Sequence, residues 1–139
     1  MAPRRFTLEE AERLLPRLSE LIPEMQERKR QYERLHDRAA ALQLKMSSNG
    51  HIIEEELDRA QQELAQTAAE INHLIEKVAE LGCELKDMDQ GLVDFHTLRE
   101  GREVYLCWKL GEPNIAWWHE LDSGFAGRKP LSGGSWSTR

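Results

Sequence analysis

Two long heptad repeats follow one another in the first 82 residues and restrict what the chain can fold into. The first repeat runs from Thr7 to Met46, and its seam positions are apolar except for Arg28. The second repeat runs from about His51 to Leu81 and ends at Gly82. Because a repeat of seven sustained over this length is typical of helices that pack side by side, the pattern predicts two long amphipathic helices. Their seam residues are Ala11, Leu14, Leu18, Leu21, Met25, Tyr32, Leu35, Ala39, Leu42 and Met46, then Ile53, Leu57, Ala60, Leu64, Thr67, Ile71, Leu74, Val78 and Leu81.

The segments that flank and interrupt these repeats predict where the helices begin and end. Thr7 and Glu10 have the spacing of a capping box, which favours a helix start at this point. Pro16 and Pro23 each lack a backbone N–H, so we expect a kink or a break in the first half of the first helix. The short stretch 47–50, Ser-Ser-Asn-Gly, predicts a helix stop and a tight loop. Two long helices joined by so short a loop form an antiparallel, coiled-coil-like hairpin.

After Gly82 the hydrophobic period changes from helical to strand-like. Short strands are expected over 83–86 and 92–95, and a stronger β-hairpin over 102–110 and 114–121. With Leu110 placed opposite Ile115, His119 lies on the inner face of this hairpin. The fold class is therefore α+β, a long antiparallel helical hairpin followed by a small antiparallel β-sheet.

The expected domain organisation is a single domain with a tail. Residues 1–82 form the helical hairpin, residues 83–130 form the sheet packed against it, and residues 131–139 are a Ser/Gly-rich flexible tail. A hydrophobic content of 40% with a mean hydropathy of −0.66 suits a globular protein in water. No apolar run is long enough for a membrane span, and the first residues lack a signal-peptide core, so we expect a cytoplasmic protein. Cys83 and Cys107 are expected to be reduced thiols.

Charge argues against nucleic acid as a partner, because the formal net charge is −6. The basic run at 28–30, with Arg34 and Arg38, alternates with acidic residues at helical spacing and predicts an ion-paired, solvated helix face. Residues 1–50 carry ten Lys/Arg and eight Asp/Glu, whereas residues 51–82 carry two and eight. Opposite net charges on the two helices favour their pairing.

Several segments resemble a known family. The runs 85–95 (Leu-Lys-Asp through Gly-Leu-Val-Asp-Phe), 101–109 (Gly-Arg-Glu-Val-Tyr-Leu-Cys-Trp-Lys), 118–128 and the opening 6–16 are similar to those of the small bacterial family filed as domain of unknown function 2203. His96 departs from that pattern, in which proline usually follows the phenylalanine. The family has no established activity, so the resemblance implies no function for this chain.

His119 is the residue best suited to carry chemistry. On an inner sheet face it can be a metal ligand or an acid/base group, and the hypothetical site comprises His119, Asp94, Glu120 and Asp122. The competing interpretation is a core histidine hydrogen-bonded to a backbone group or a carboxylate. A wider set of candidate ligands lacks diagnostic metal spacing and consists of Asp87, Asp89, Asp94, Cys107, Glu112, His119, Glu120 and Asp122.

The segment 124–129 offers a second hypothetical site. Gly124 and Gly127 would let backbone N–H groups approach an oxyanion, and Arg128 would add positive charge. No apolar helix pattern follows this loop, so the alternative is an ordinary turn.

These observations lead to two hypotheses about function. The first is a non-enzymatic, self-associating interaction or scaffold module that forms a homodimer through its helical hairpin or binds another protein, because two helices alone leave part of each apolar stripe uncovered. It requires no cofactor, no nucleic acid and no membrane. The alternative is a small metal- or anion-dependent enzyme with a divalent metal near His119 and Asp94, although no nucleophile motif or cofactor fingerprint supports it.

Overall fold

The computed structural model describes residues 4–46 and 50–139, and it confirms the α+β fold class. The predicted loop residues 47–49 lie outside the described residues. No helix in the described part of the chain is both long and apolar enough to cross a membrane. The helices are α1 (Leu8–Glu12), α2 (Leu15–Lys45) and α3 (Gly50–Glu80), and the strands are β1 (Glu84–Asp87), β2 (Leu92–Arg99), β3 (Arg102–Lys109), β4 (Trp117–His119), β5 (Lys129–Pro130) and β6 (Trp136–Ser137), with a short 3₁₀ turn at Phe125–Gly127.

The start of the helical region follows the sequence prediction closely. The Thr7 hydroxyl accepts a hydrogen bond from the Glu10 N–H at 3.1 Å, and the Glu10 carboxylate accepts one from the Thr7 N–H at 2.9 Å. This capping box begins α1, which ends before a break at residues 13–14. Pro16 lies in the first turn of α2, where no backbone N–H is needed, while Pro23 is inside the helix. The predicted interruption is therefore confirmed.

The chain divides into two compact units, and the division does not fall at Gly82. The first unit comprises Met1–Pro23 and Ile75–Arg139, and the second comprises Glu24–Leu74. The first unit thus contains the whole sheet together with the beginning of α2 and the end of α3.

The second unit is a pair of antiparallel helices that pack along their predicted seams. Its buried cluster consists of Leu42, Leu57 and Ala60, against which Ala39, Met46 and Ile53 pack. On the surface, the Arg28 guanidinium lies 3.0 Å from the Glu70 carboxylate across the pair. Arg30 binds Glu27 of its own helix at 2.8 Å. The basic run is therefore an ion-paired helix face, as predicted.

The sheet in the first unit is built around β2. Strand β3 pairs with the full length of β2, so the other edge of β2 is shared by β1, by Arg5 and by β6. The turn between β2 and β3 has only two residues, Glu100 and Gly101, whose φ angles are +51° and +82°. Positive φ at both central positions matches the twist of the flanking strands. Strands β4 and β5 follow β3 in order.

The predicted pairing between β3 and β4 is wrong by one residue. Tyr105, not Leu106, lies opposite His119. The cause is the connection 110–116, in which the Glu112 carboxylate accepts the N–H of Lys109 at 2.6 Å and ends β3 there. Ile115 leaves the sheet, and its N–H donates to the Glu12 carboxylate at 3.3 Å. A slip of one residue moves every side chain of β4 to the opposite face.

The C-terminal residues also differ from the expectation of a flexible tail. Trp136 and Ser137 form β6, opposite Arg99 and Leu98. The Arg99 guanidinium lies 4.8 Å from the ring centres of both Trp118 and Trp136. This cation–π contact to two rings holds an otherwise polar, glycine-rich segment against the sheet.

The two faces of the sheet differ in character. One face is almost entirely apolar, and the ring of Phe6 meets the ring of Phe95 edge-on at 5.3 Å. Its residues are Val93, Phe95, Thr97, Val104, Leu106, Trp108 and Trp118, all of them buried. The opposite face, called here the polar face, is also buried but carries Leu92, Asp94, His96, Tyr105, Cys107 and His119.

Candidate functional site

Three ionisable side chains converge at the centre of the polar face. Asp94 on β2 is opposite Cys107 on β3, and His119 on β4 is opposite Tyr105, two residues from Cys107. A carboxylate oxygen of Asp94, the Sγ of Cys107 and a ring nitrogen of His119 all lie within 4.8 Å of one another. The three residues are between 1% and 4% exposed. Within residues 4–46 and 50–139, this is the one cluster with metal-ligand geometry.

The hydrogen bonds of His119 fix its tautomer. Its Nδ1 is 2.7 Å from the carbonyl oxygen of Glu120, which can only accept, so Nδ1 carries a proton. Its Nε2 is 3.1 Å from each carboxylate oxygen of Asp94. A bare lone pair facing a carboxylate would be repulsive, so one proton must lie between Asp94 and His119. Burial raises the pKa of Asp94, and the contacts with His119 and Cys107 offset that rise only in part.

Cys107 is a thiol in this environment and not a ready nucleophile. Burial, together with the neighbouring Asp94 charge, raises the pKa of Cys107 to about 12. The Arg128 guanidinium, which reaches the Cys107 carbonyl at 3.5 Å, acts in the opposite direction but is outweighed. Arg128 is itself paired with the Glu112 carboxylate at 2.7 Å. Nucleophilic catalysis by Cys107 is therefore disfavoured unless a cation replaces its proton.

The cluster lines a pocket of about 150 Å³. Lys86 and Tyr105 contribute polar groups to the pocket, and the segment that follows β4 covers it. The remaining lining residues are Leu92, Leu121, Gly124 and Phe125. A small molecule in this pocket would touch the three converging side chains directly.

A second polar network adjoins the pocket. The Tyr105 ring lies between the rings of His96, at 4.5 Å, and His119, at 5.3 Å. Glu84 lies 3.3 Å from His96 and 3.4 Å from the Lys86 ammonium. Burial alone would raise the pKa of Glu84, but the contacts with Tyr105, Lys86 and His96 lower it overall. Burial and the Glu84 contact raise the pKa of Tyr105, so the phenol keeps its proton.

The structure brings together two of the four residues of the hypothetical site. Asp94 and His119 are in direct contact, whereas the Glu120 carboxylate is 3.0 Å from Arg102 and so belongs to a different ion pair. Glu120 contributes only its backbone carbonyl to His119. Asp122 is exposed in the turn after β4. Cys107 belonged to the wider set of candidate ligands, and Lys86 and Tyr105 were not predicted.

The glycine loop has well-defined packing roles. Gly124 lines the pocket, and a Cβ on Gly127 would lie 2.5 Å from the side chain of Ser123. The Arg128 guanidinium, besides its pair with Glu112, lies 4.6 Å from the Phe125 ring centre. These contacts anchor the covering segment beside the pocket.

The fold and site define a small α+β protein with an acid, a thiol and an imidazole gathered on one sheet face. Residues 4–131 match the profile of a family described as uncharacterized conserved protein (DUF2203), and the chain belongs to that family. Neither the curated proteins nor the solved structures that were compared with the chain include a match.

Proposed function

We propose that the protein binds one divalent metal ion, of the zinc type, through Asp94, Cys107 and His119. The observation that carries this proposal is the convergence of a carboxylate oxygen, a sulfur and a ring nitrogen of His119 within 4.8 Å at a pocket wall. Thiolate and imidazole ligands favour zinc over magnesium or calcium, which prefer oxygen alone. Three protein ligands leave one tetrahedral position for water or a small ligand.

The surroundings of the cluster favour metal binding in two ways. His119 donates its Nδ1–H to the Glu120 carbonyl, which directs Nε2 at the site as the outer contacts of metal-bound histidines do. A divalent ion would displace the proton between Asp94 and His119 and the thiol proton of Cys107. The two resulting anions balance the charge of the ion, and the Arg128 guanidinium favours the thiolate. Because a free thiol is required, we also propose a cytoplasmic location.

Metal titration of purified protein with matched variants tests the proposal. After treatment with a chelator, the wild type is expected to bind one Zn²⁺ per chain. Asp94→Asn, Cys107→Ala and His119→Gln should each weaken binding by about a hundredfold or more, since each removes one ligand. The controls replace the same residue types outside the cluster, with Asp122→Asn, Cys83→Ala and His73→Gln. Zinc affinities equal to the wild type in all three ligand variants would refute the proposal.

We propose, as a second function, self-association through the helical pair of the second unit. The supporting observation is a row of seam residues that the pair leaves half-buried, including Leu35, Leu64 and Ile71. A second copy is the occupant that fits best, because a segment with net positive charge in one copy can face the acidic α3 of the other. Four helices would cover the apolar stripe that two leave open.

Light scattering at micromolar concentration tests this second function. The wild type is expected to be a dimer, and Leu64→Asp should be a folded monomer, whereas Gln61→Asp at a neighbouring exposed position should remain dimeric. A monomeric wild type at micromolar and at millimolar concentration would exclude self-association.

A further inference from the structure

We infer that the pocket beside the proposed metal takes a small carboxylic acid, with its carboxylate on the metal and its hydrocarbon part against Leu92, Leu121 and Phe125. This inference rests on the proposed function and adds the chemical class of the ligand. It depends on three properties of the pocket, namely its size, its apolar outer wall and the position of Lys86.

The size of the pocket limits the ligand. A cavity of about 150 Å³ is comparable to one that holds a benzene molecule. The ligand therefore has on the order of six non-hydrogen atoms inside the pocket. Nucleotides, sugars and peptides exceed this volume.

The outer wall of the pocket is apolar and partly open. Leu121 is 47% exposed and Phe125 is 40% exposed. Among the described residues, these are two of the four large hydrophobic side chains that remain exposed. Both line the same pocket, and Leu92 adds a third hydrophobic side chain. Such a wall favours a ligand with a hydrocarbon part and disfavours a strongly hydrated ion such as inorganic phosphate.

Lys86 favours a negative ligand. Among the described residues that line the pocket, Lys86 is the one lysine or arginine. Its ammonium lies 4.8 Å from the Tyr105 ring centre. The ammonium has three N–H donors, its ion-pair partner is Glu84 at 3.4 Å, and its side chain is 43% exposed. A donor that does not face Glu84 can therefore bind a ligand. With Asp94 and Cys107 already neutralising a divalent ion, an incoming carboxylate adds one negative charge, and Lys86 attracts it modestly because Glu84, 3.4 Å away, already offsets part of the Lys86 charge.

The inference is tested with Co²⁺-loaded protein, whose visible absorption reports the coordination of the metal. The probes are isobutyrate, acetate and isobutanol, titrated by calorimetry and by absorption. Isobutyrate should bind about tenfold more tightly than acetate, because two further carbon atoms leave water for the apolar wall. Isobutanol, which has a similar hydrocarbon part but no charge, should leave the spectrum unchanged.

Two variants test the role of the wall and of the cation. Phe125→Ala should reduce the preference for isobutyrate over acetate to about threefold or less, since it removes part of the apolar wall. Lys86→Gln should weaken isobutyrate binding about fivefold without loss of cobalt. The control Lys77→Gln replaces a lysine on α3 that does not line the pocket and should change neither value.

The outcomes separate this inference from the proposed function. If the protein binds no cobalt, the metal site is refuted and the ligand inference falls with it. If cobalt binds but isobutyrate binds no more tightly than acetate, or Lys86→Gln binds isobutyrate like the wild type, the metal site stands and the ligand class is wrong.

Discussion

Removing the Asp94 carboxylate should destabilise the protein far more than replacing it with an amide. Asp94 and His119 are both nearly inaccessible, and Nε2 has Asp94 as its partner at 3.1 Å. In Asp94→Ala, Nε2 loses that partner inside the protein, which costs about 1–3 kcal/mol. The lost packing of the carboxyl group adds to this, so we expect a decrease of about 2–3 kcal/mol in the free energy of unfolding.

Asp94→Asn should cost less than about 1 kcal/mol, because the amide N–H can donate to Nε2. That donation is available only because Nδ1 holds its proton for the Glu120 carbonyl, which leaves Nε2 as an acceptor. The comparison of the two variants therefore tests whether a hydrogen-bonding partner for Nε2, and not the charge of Asp94, stabilises the pair.

The measurement is urea unfolding of metal-free protein at neutral pH, followed by circular dichroism in the presence of a chelator. Asp122→Ala serves as the control for the loss of an acidic residue, because Asp122 is exposed, and it should stay within about 0.5 kcal/mol of the wild type. Equal losses in Asp94→Ala and Asp94→Asn would show that the amide does not replace the carboxyl group and that the charge of Asp94, not a hydrogen bond to Nε2, stabilises the pair.

Three further outcomes follow from the described contacts. Thr7→Ala should lower the free energy of unfolding by about 1 kcal/mol in urea titrations, because it removes the capping box of α1. Burial raises the pKa of Cys83 from an ordinary value near 9 to about 11, so the folded protein holds this proton more tightly than the unfolded chain. Relative to Cys83→Ala, the wild type should therefore lose stability as the pH rises from 9 to 11, by up to roughly 2–3 kcal/mol, and be unaffected below that range. Gly101→Ala should cost about 1 kcal/mol in the same assay, because φ at this position is +82°.

The helices could be predicted because their determinants are local. A capping box at Thr7 and a seam residue every three or four positions identify α1, α2 and α3 without knowledge of distant contacts. The break before Pro16 follows from the missing N–H of proline alone. The tail residue Trp136 was harder to place, because its partner Arg99 is far away in the sequence and the pairing strand has only two residues.

The pairing of Asp94 with Cys107 could be predicted from the sequence, whereas the position of His119 could not. The two-residue turn at Glu100–Gly101 aligns Arg99 with Arg102 and, by counting back, places Asp94 opposite Cys107. Recognising this two-residue turn in the sequence is therefore enough to predict that Asp94 and Cys107 are cross-strand neighbours. The connection 110–116 has no such constraint, since its course depends on the distant contact between Ile115 and Glu12. The side of the sheet occupied by His119 therefore follows from tertiary structure and not from local pattern.

The buried Asp94 is the strongest indication that the polar face has a role in addition to folding. All residues of β2 from Leu92 to Leu98 are buried, and an isolated carboxylate in such a strand is unfavourable. The opposite face shows that this sheet can be covered with apolar side chains. A buried acid, thiol and imidazole in mutual contact depart from that pattern, and such departures concentrate at functional sites. Replacing Asp94, Cys107 and His119 together with apolar residues should therefore leave the fold intact. Among the described residues, this replacement would remove the one pocket wall that carries an acid, a thiol and an imidazole.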